Sequence, residues 1–121
     1  MRLGIFGGTF DPIHFGHLAV AAEARRAAVL DLVLFVPALQ SPLREPPLAT
    51  AEARVRMCEL AVADRPEFAV SEVEIRRPPP SYTSETVLAI RRQRPEDVLV
   101  LVMGADALRE VSSWRDVDHL L

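Results

Sequence analysis

Gly4-Ile5-Phe6-Gly7-Gly8-Thr9-Phe10-Asp11-Pro12-Ile13-His14-Phe15-Gly16-His17 is the stretch around which the rest of the chain organises itself. The apolar run over 2–6 is stopped by Gly7-Gly8, which predicts a buried strand entering a tight loop. Beyond it, residues 15–29 are rich in alanine and set Leu18, Ala22 and Arg25/Arg26 at helical spacing, so a helix follows. The segment is therefore strand, glycine loop and helix. Its polar residues, Asp11, His14 and His17, gather at the turn.

Outward from this unit the same alternation repeats. Residues 32–36 are wholly apolar and end at Pro37, predicting a second strand, and a proline-rich loop covers 37–48. Thr50 begins a capped amphipathic helix whose pattern is carried by Arg54, Met57, Leu60, Ala61 and Asp64. Phe68, Val70, Val73 and Ile75 alternate, which suggests one or two strands. Pro78-Pro79-Pro80 forces a loop, and Tyr82 to Gln93 reads as a helix with Ser81 as candidate cap. Residues 98–103 give the strongest strand signal, stopped by Gly104, and 105–121 read as a helix broken near Ser112-Ser113. Strands that are solid apolar runs are buried on both faces, as in a parallel sheet. Alternating with helices, they predict a three-layer, doubly wound α/β fold in a single domain, 1–121. The order ends on a helix, so the sheet is expected to be C-terminally incomplete, with an apolar edge that favours homo-oligomers.

Open parallel sheets bind ligands beyond the carboxyl ends of their strands, where the Gly7–His17 turn lies. Gly7-Gly8 lets backbone approach a ligand, and the following helix points its positive end at an anion. His14 and His17, at i and i+3, lie on one face of a first helical turn, and Gly16 between them carries no side chain to crowd a phosphate. Such imidazoles can donate to charge developing on a transferring phosphate. A histidine pair at this spacing is also common on plain surfaces, and a glycine pair after a strand is common too. A metal site is a poor reading, because two histidines lack a third ligand.

Taken together, Gly7 to His17 resembles the GxFDPxHxGH signature of the nucleotidyltransferases that share an HxGH motif. The resemblance implies a Rossmann-like domain that joins a mononucleotide phosphate to the α-phosphate of ATP and releases pyrophosphate. It further implies Mg2+ brought with ATP, no covalent intermediate, and His14 and His17 as catalytic residues. Gly7, Gly8, Thr9, Phe10 and Gly16 would join them in binding ATP. Pro80-Ser81-Tyr82-Thr83-Ser84-Glu85-Thr86 resembles the PSYT-x-x-T segment of bacterial nicotinate-nucleotide adenylyltransferases, although a plain helix cap would read alike. Gly104-Ala105-Asp106-Ala107-Leu108, followed by Trp114, resembles their G-x-D-x-L…W stretch. By that resemblance Gly104 and Asp106 flank adenosine and Trp114 stacks on the nicotinate ring, while Tyr82, Thr83 and Arg115 meet the pyridine nucleotide. Val36 to Arg44 takes the place of a VPxxxPPHK loop, with Leu43 where that loop has His and Arg44 as a phosphate contact in place of Lys. Nothing in 1–121 resembles the later ISxTxIR-type segment, so weakened ATP binding is expected. Pantetheine-phosphate adenylyltransferase is the alternative enzyme, disfavoured by His14, the PSYT segment and Trp114. A non-catalytic nucleotide-binding fragment is the alternative from outside catalysis.

Composition narrows the setting. Half of the 121 residues are hydrophobic, enough to bury a core. The net charge of −3 argues against a general nucleic-acid or membrane-surface binder, and against a tRNA synthetase despite the shared histidine motif. One cysteine, Cys58, excludes an internal disulfide and fits a cytoplasmic setting, and no run approaches a membrane span. Cys58 is expected to be inert packing. The remaining arginines, Arg54, Arg56, Arg76, Arg77, Arg91 and Arg92, read as solvated charges.

Overall fold

The apolar runs pair side by side in the computed structural model, which describes residues 1–39, 47–76 and 83–103. Strand β1 (Arg2–Gly8) lies parallel to β2 (Leu32–Pro37), with Leu3 opposite Leu32 and Gly8 opposite Pro37. On its other side β1 pairs with β4 (Val98–Val102), and β2 pairs with β3 (Phe68–Val70), both parallel. Three helices connect them: α1 (Phe15–Ala28), α2 (Ala51–Val62) and α3 (Thr83–Gln93). The sheet order is β3-β2-β1-β4. This is the expected doubly wound α/β arrangement.

Period-two alternation divides each central strand between two cores. Phe6, Val33, Phe35 and Val102 face α1 and α2, where they meet Ala21, Leu30, Cys58, Val62 and Phe68. Leu3, Ile5, Leu34 and Val36 face the other way and meet Ile90 of α3. Phe35 is the hub of the first core, with ring centroids 5.4 Å from Phe6, 5.6 Å from Phe10 and 5.4 Å from Phe68. Truncating so enclosed an aromatic costs about 3–5 kcal/mol. Gly4 sits in the same layer because a Cβ there would lie 2.7 Å from Leu30 Cδ1.

Local signals set the helix ends. Thr50 Oγ1 accepts from the Ala53 amide at 3.1 Å, the cap read from the sequence. Helix α2 buries Arg54, Val55, Cys58 and Val62, while Leu60 of the expected pattern is exposed. In α1 Ala21 is the buried residue. The alternation over 68–75 yields only the short β3, since the chain turns at residues 73–76 with the Arg76 amide bonded to Glu72 O. The helix expected over 105–121, the Ser81 cap and most of the 37–48 loop lie outside the described residues. No described helix is long and apolar enough to cross a membrane.

Candidate functional site

From β1 the chain steps outward to β2 and then β3, and α3 carries it back to the far side of β1. The winding thus reverses between β1 and β4, and the crevice beyond their carboxyl ends is where such sheets take ligands. The Gly7–His17 segment leaves β1 at that point. Thr83 is the first residue of α3.

The left-handed step of the turn falls on an aromatic residue. Neither Gly7 nor Gly8 has positive φ; Phe10 does, at 50°. An aromatic residue holds this left-handed conformation because its ring is 2% exposed, edge-on to Phe6 at 5.5 Å and tilted against Phe35 at 5.6 Å. The side chain of Phe10 is thus a core anchor, leaving only its backbone for a ligand. Gly8 is small for a related reason, since a Cβ would stand 3.2 Å from the Phe10 ring. Gly7 is exposed and meets nothing closer than Val36 O at 3.9 Å.

The two histidines cap α1 reciprocally. His14 is the N-cap, with φ −146° and ψ 178°, and its Nδ1 accepts from the Gly16 amide at 3.0 Å. His17 Nδ1 accepts in turn from the His14 amide at 3.0 Å. This is the logic of a capping box, carried by imidazoles instead of a hydroxyl and a carboxylate. With each Nδ1 used as acceptor, the proton of each neutral ring belongs on Nε2. The rings stack, with centroids 3.8 Å apart and planes 25° apart. Burial, and then the neighbouring His14 charge, holds the His17 pKa below the ordinary histidine value. Two stacked rings, one kept neutral, therefore present Nε2–H donors at the N-terminus of a 14-residue helix with no acidic residue in its first turn. Gly16 has a tighter role than sparing a phosphate: a Cβ would lie 2.8 Å from His14 Cε1 and 2.9 Å from Nδ1.

Arg54 is the residue that sequence reasoning placed wrongly. It is 1% exposed, not solvated. Its guanidinium donates to the carbonyls of Thr9 at 2.8 Å, Ala38 at 2.5 Å, Leu39 at 3.3 Å and Ala49 at 3.2 Å. Burial pulls its pKa down, and the Asp11 carboxylate is the largest influence pushing it back up. Asp11 itself accepts from the amides of Leu48 at 2.6 Å and Ala49 at 3.0 Å. One sequence signal could have found Arg54, its i, i+4, i+8 alignment with Cys58 and Val62 on the buried stripe. Cys58 is buried as expected, and its thiol is pushed up to about 11, chiefly by burial.

Gly7, Gly8, Thr9, Phe10, His14, Gly16 and His17 are thus brought together on one turn, while Thr83 is half-buried at the start of α3. Arg44, Tyr82, Gly104, Asp106, Trp114 and Arg115 lie outside the described residues. Among the described residues no three His, Cys, Asp or Glu side chains converge to hold a metal ion.

The family model described as cytidylyltransferase-like matches residues 5–121. The chain is 50% identical over 120 residues to a probable nicotinate-nucleotide adenylyltransferase of Thermus thermophilus, covering 99% of this chain and 64% of that protein. A probable nicotinate-nucleotide adenylyltransferase of a Roseiflexus species is 49% identical over 98% of this chain and 60% of its own length. Among solved structures, Plasmodium falciparum nicotinic acid mononucleotide adenylyltransferase complexed with NaAD matches with a TM-score of 0.83 and 16% identity, over 98% of this chain and 59% of that one. This last likeness speaks for the fold alone. The chain spans about three-fifths of the length of the curated relatives it matches.

Proposed function

We propose, because this chain belongs to the cytidylyltransferase-like family, that it transfers the adenylyl group of ATP to nicotinate mononucleotide, giving deamido-NAD and pyrophosphate. The observation that carries this reading is the pair of reciprocally capped histidines at the reversal point of the sheet. The names of the relatives at 49–50% identity support the choice of substrate.

In this reading the mononucleotide phosphate attacks the α-phosphorus of ATP in line, an oxygen–phosphorus bond forms, and the bond to pyrophosphate breaks. The chain contributes position and charge stabilisation rather than a covalent partner. His14 and His17 donate from Nε2–H to phosphate oxygens as negative charge builds. One such donor is worth about 2.7–4 kcal/mol. Gly7, Gly8, Thr9 and the Phe10 backbone line the approach, and Gly16 keeps the His14 ring in its cap. Mg2+ prefers oxygen ligands, and the stacked imidazoles do not supply them, so the ion rides on the triphosphate as part of the substrate. Gly104 and Asp106 serve the adenosine, Arg44 a phosphate, and Tyr82, Thr83, Trp114 and Arg115 the pyridine nucleotide. The whole of 1–121 acts as one domain, working in the cytoplasm.

The test is turnover with ATP, Mg2+ and nicotinate mononucleotide, followed by pyrophosphate release and by the dinucleotide product. Nicotinamide mononucleotide run in parallel reports acid selectivity. Release with nicotinate mononucleotide, lost on His14→Ala or His17→Ala, is the expected result. Calorimetric binding of ATP without any release at high protein concentration would overturn the reading and leave a nucleotide-binding module.

A further inference from the structure

The function above uses the histidines and the glycines of the motif but gives no task to Asp11 or to the buried Arg54. The two residues reach past each other. Arg54 starts on α2 and ends on the carbonyl of Thr9 in the histidine loop, and also on those of Ala38 and Leu39 just after β2. Asp11 starts in the histidine loop and ends on the amides of Leu48 and Ala49, just before α2. The loop is thus tied to the same neighbouring segment twice, once through its carbonyls and once through a carboxylate. A third tie, from the Ala38 amide to Gly8 O at 2.9 Å, lies between them. The side chain of Arg54 reaches four carbonyls, which a Lys ammonium on a single point cannot match. Thr9 and Asp11 flank Phe10, the residue with left-handed backbone. Both ends of that strained step are therefore held from outside the loop.

We infer that Arg54 and Asp11 are positioning residues, a crossed pair of ties that fixes the Thr9–His14 turn and so aims the two imidazoles at the phosphate. The inference rests on the proposed adenylyl transfer for its kinetic readout, but not for its structural one. A buried guanidinium needs acceptors in any role, so the informative feature is where they lie. Its four acceptors come from the histidine loop, from the segment after β2 and from the residue before the Thr50 cap, so Arg54 joins the site to two crossovers at once. The ties act on geometry. Removing one therefore lowers the rate of the bound complex more than the affinity for ATP.

The variants are Arg54→Met, which keeps the volume and removes the donors, and Asp11→Asn, which changes only a half-buried loop side chain. The measurements are kcat and KM for ATP below the melting temperature of each variant, and the 15N shifts of Nδ1 and Nε2 of His14 and His17 without ligand. Arg54→Met is expected to lower kcat about 100-fold, the scale of an ångström-sized misplacement. KM should move less than threefold, and the histidine shifts should move toward those of uncapped imidazole. Asp11→Asn should shift the same way by a smaller amount, and it decides the matter if Arg54→Met does not fold. A folded variant with kcat within twofold of wild type and unchanged histidine shifts overturns the inference. If the wild-type protein has no turnover, the transfer reading falls, and unchanged or changed histidine shifts still decide for or against the ties.

Discussion

Gly16→Ala adds a single carbon beside the His14 ring, 2.8 Å from Cε1 and 2.9 Å from Nδ1, closer than carbon and nitrogen can stand. The contact is with the ring itself and on the atom that accepts the Gly16 amide, so relief requires the ring to rotate out of its cap. Loss of that cap costs about 1 kcal/mol. Alanine in a helical turn returns up to about 1 kcal/mol relative to glycine, so the two terms nearly cancel. The melting temperature should therefore stay within about 5 °C of wild type. The chemistry has no such offset. In the proposed transfer a displaced ring no longer aims its Nε2–H at the phosphate, and one lost donor of that kind lowers kcat about 100- to 1,000-fold. The assay pairs a thermal melt with steady-state pyrophosphate release, and repeats both in a His14→Ala background. There Gly16→Ala should leave kcat unchanged, because the clash has been removed, and should raise the melting temperature slightly, because no cap remains to be lost. A Gly16→Ala protein with kcat within threefold of wild type would refute the reasoning, and so would a loss of more than 10 °C in melting temperature, which would make the glycine a folding requirement.

Two further outcomes follow from the same geometry. His17 has its pKa lowered in the folded state, so the folded protein binds fewer protons than the unfolded chain as pH drops below the ordinary value of 6.5. Its stabilising contribution is complete above 6.5 and is lost as pH falls through the lowered value. Melting temperature should therefore decline from pH 7 to pH 5, and the decline should be shallower in His17→Gln; parallel curves would contradict this. Gly4→Ala places a Cβ 2.7 Å from Leu30 Cδ1 and 3.3 Å from Val102 Cγ2 inside the packed layer. Overpacking of this kind costs about 1–3 kcal/mol, readable as a lowered urea midpoint, and an unchanged midpoint would show that Leu30 can move aside.

The fold was legible in the sequence wherever one local signal settled the matter. The solid runs 2–6, 32–36 and 98–103 read as buried strands, and β1, β2 and β4 follow them closely, β1 and β2 buried on both faces and β4 largely half-buried. Thr50 was legible as a cap because its partner, Ala53, lies three residues on. Arg54 was not, because its partners at Thr9, Ala38 and Leu39 lie 45, 16 and 15 residues away, and a charged residue in a helix is ordinarily solvated. The candidate site divides in the same way. That His14 and His17 sit together could be read from their spacing. That each caps the other through Nδ1 depends on ring rotation, which spacing does not carry. The left-handed backbone of Phe10 was not legible, because it depends on the packing of its ring against Phe6 and Phe35.

The pairing of β1 with β4 also has a consequence in time. Arg2 lies opposite Val98, so the central strand of the sheet keeps one row of amides and carbonyls unmatched until a chain segment 96 residues later has emerged. At ribosomal speeds that wait is roughly 5–20 s. The histidine cap and the β1–β2 ladder use only the first 37 residues and can form during it. The wall on the far side of the crevice cannot. The histidine cap is thus assembled early, and the β1 edge that β4 covers is closed late.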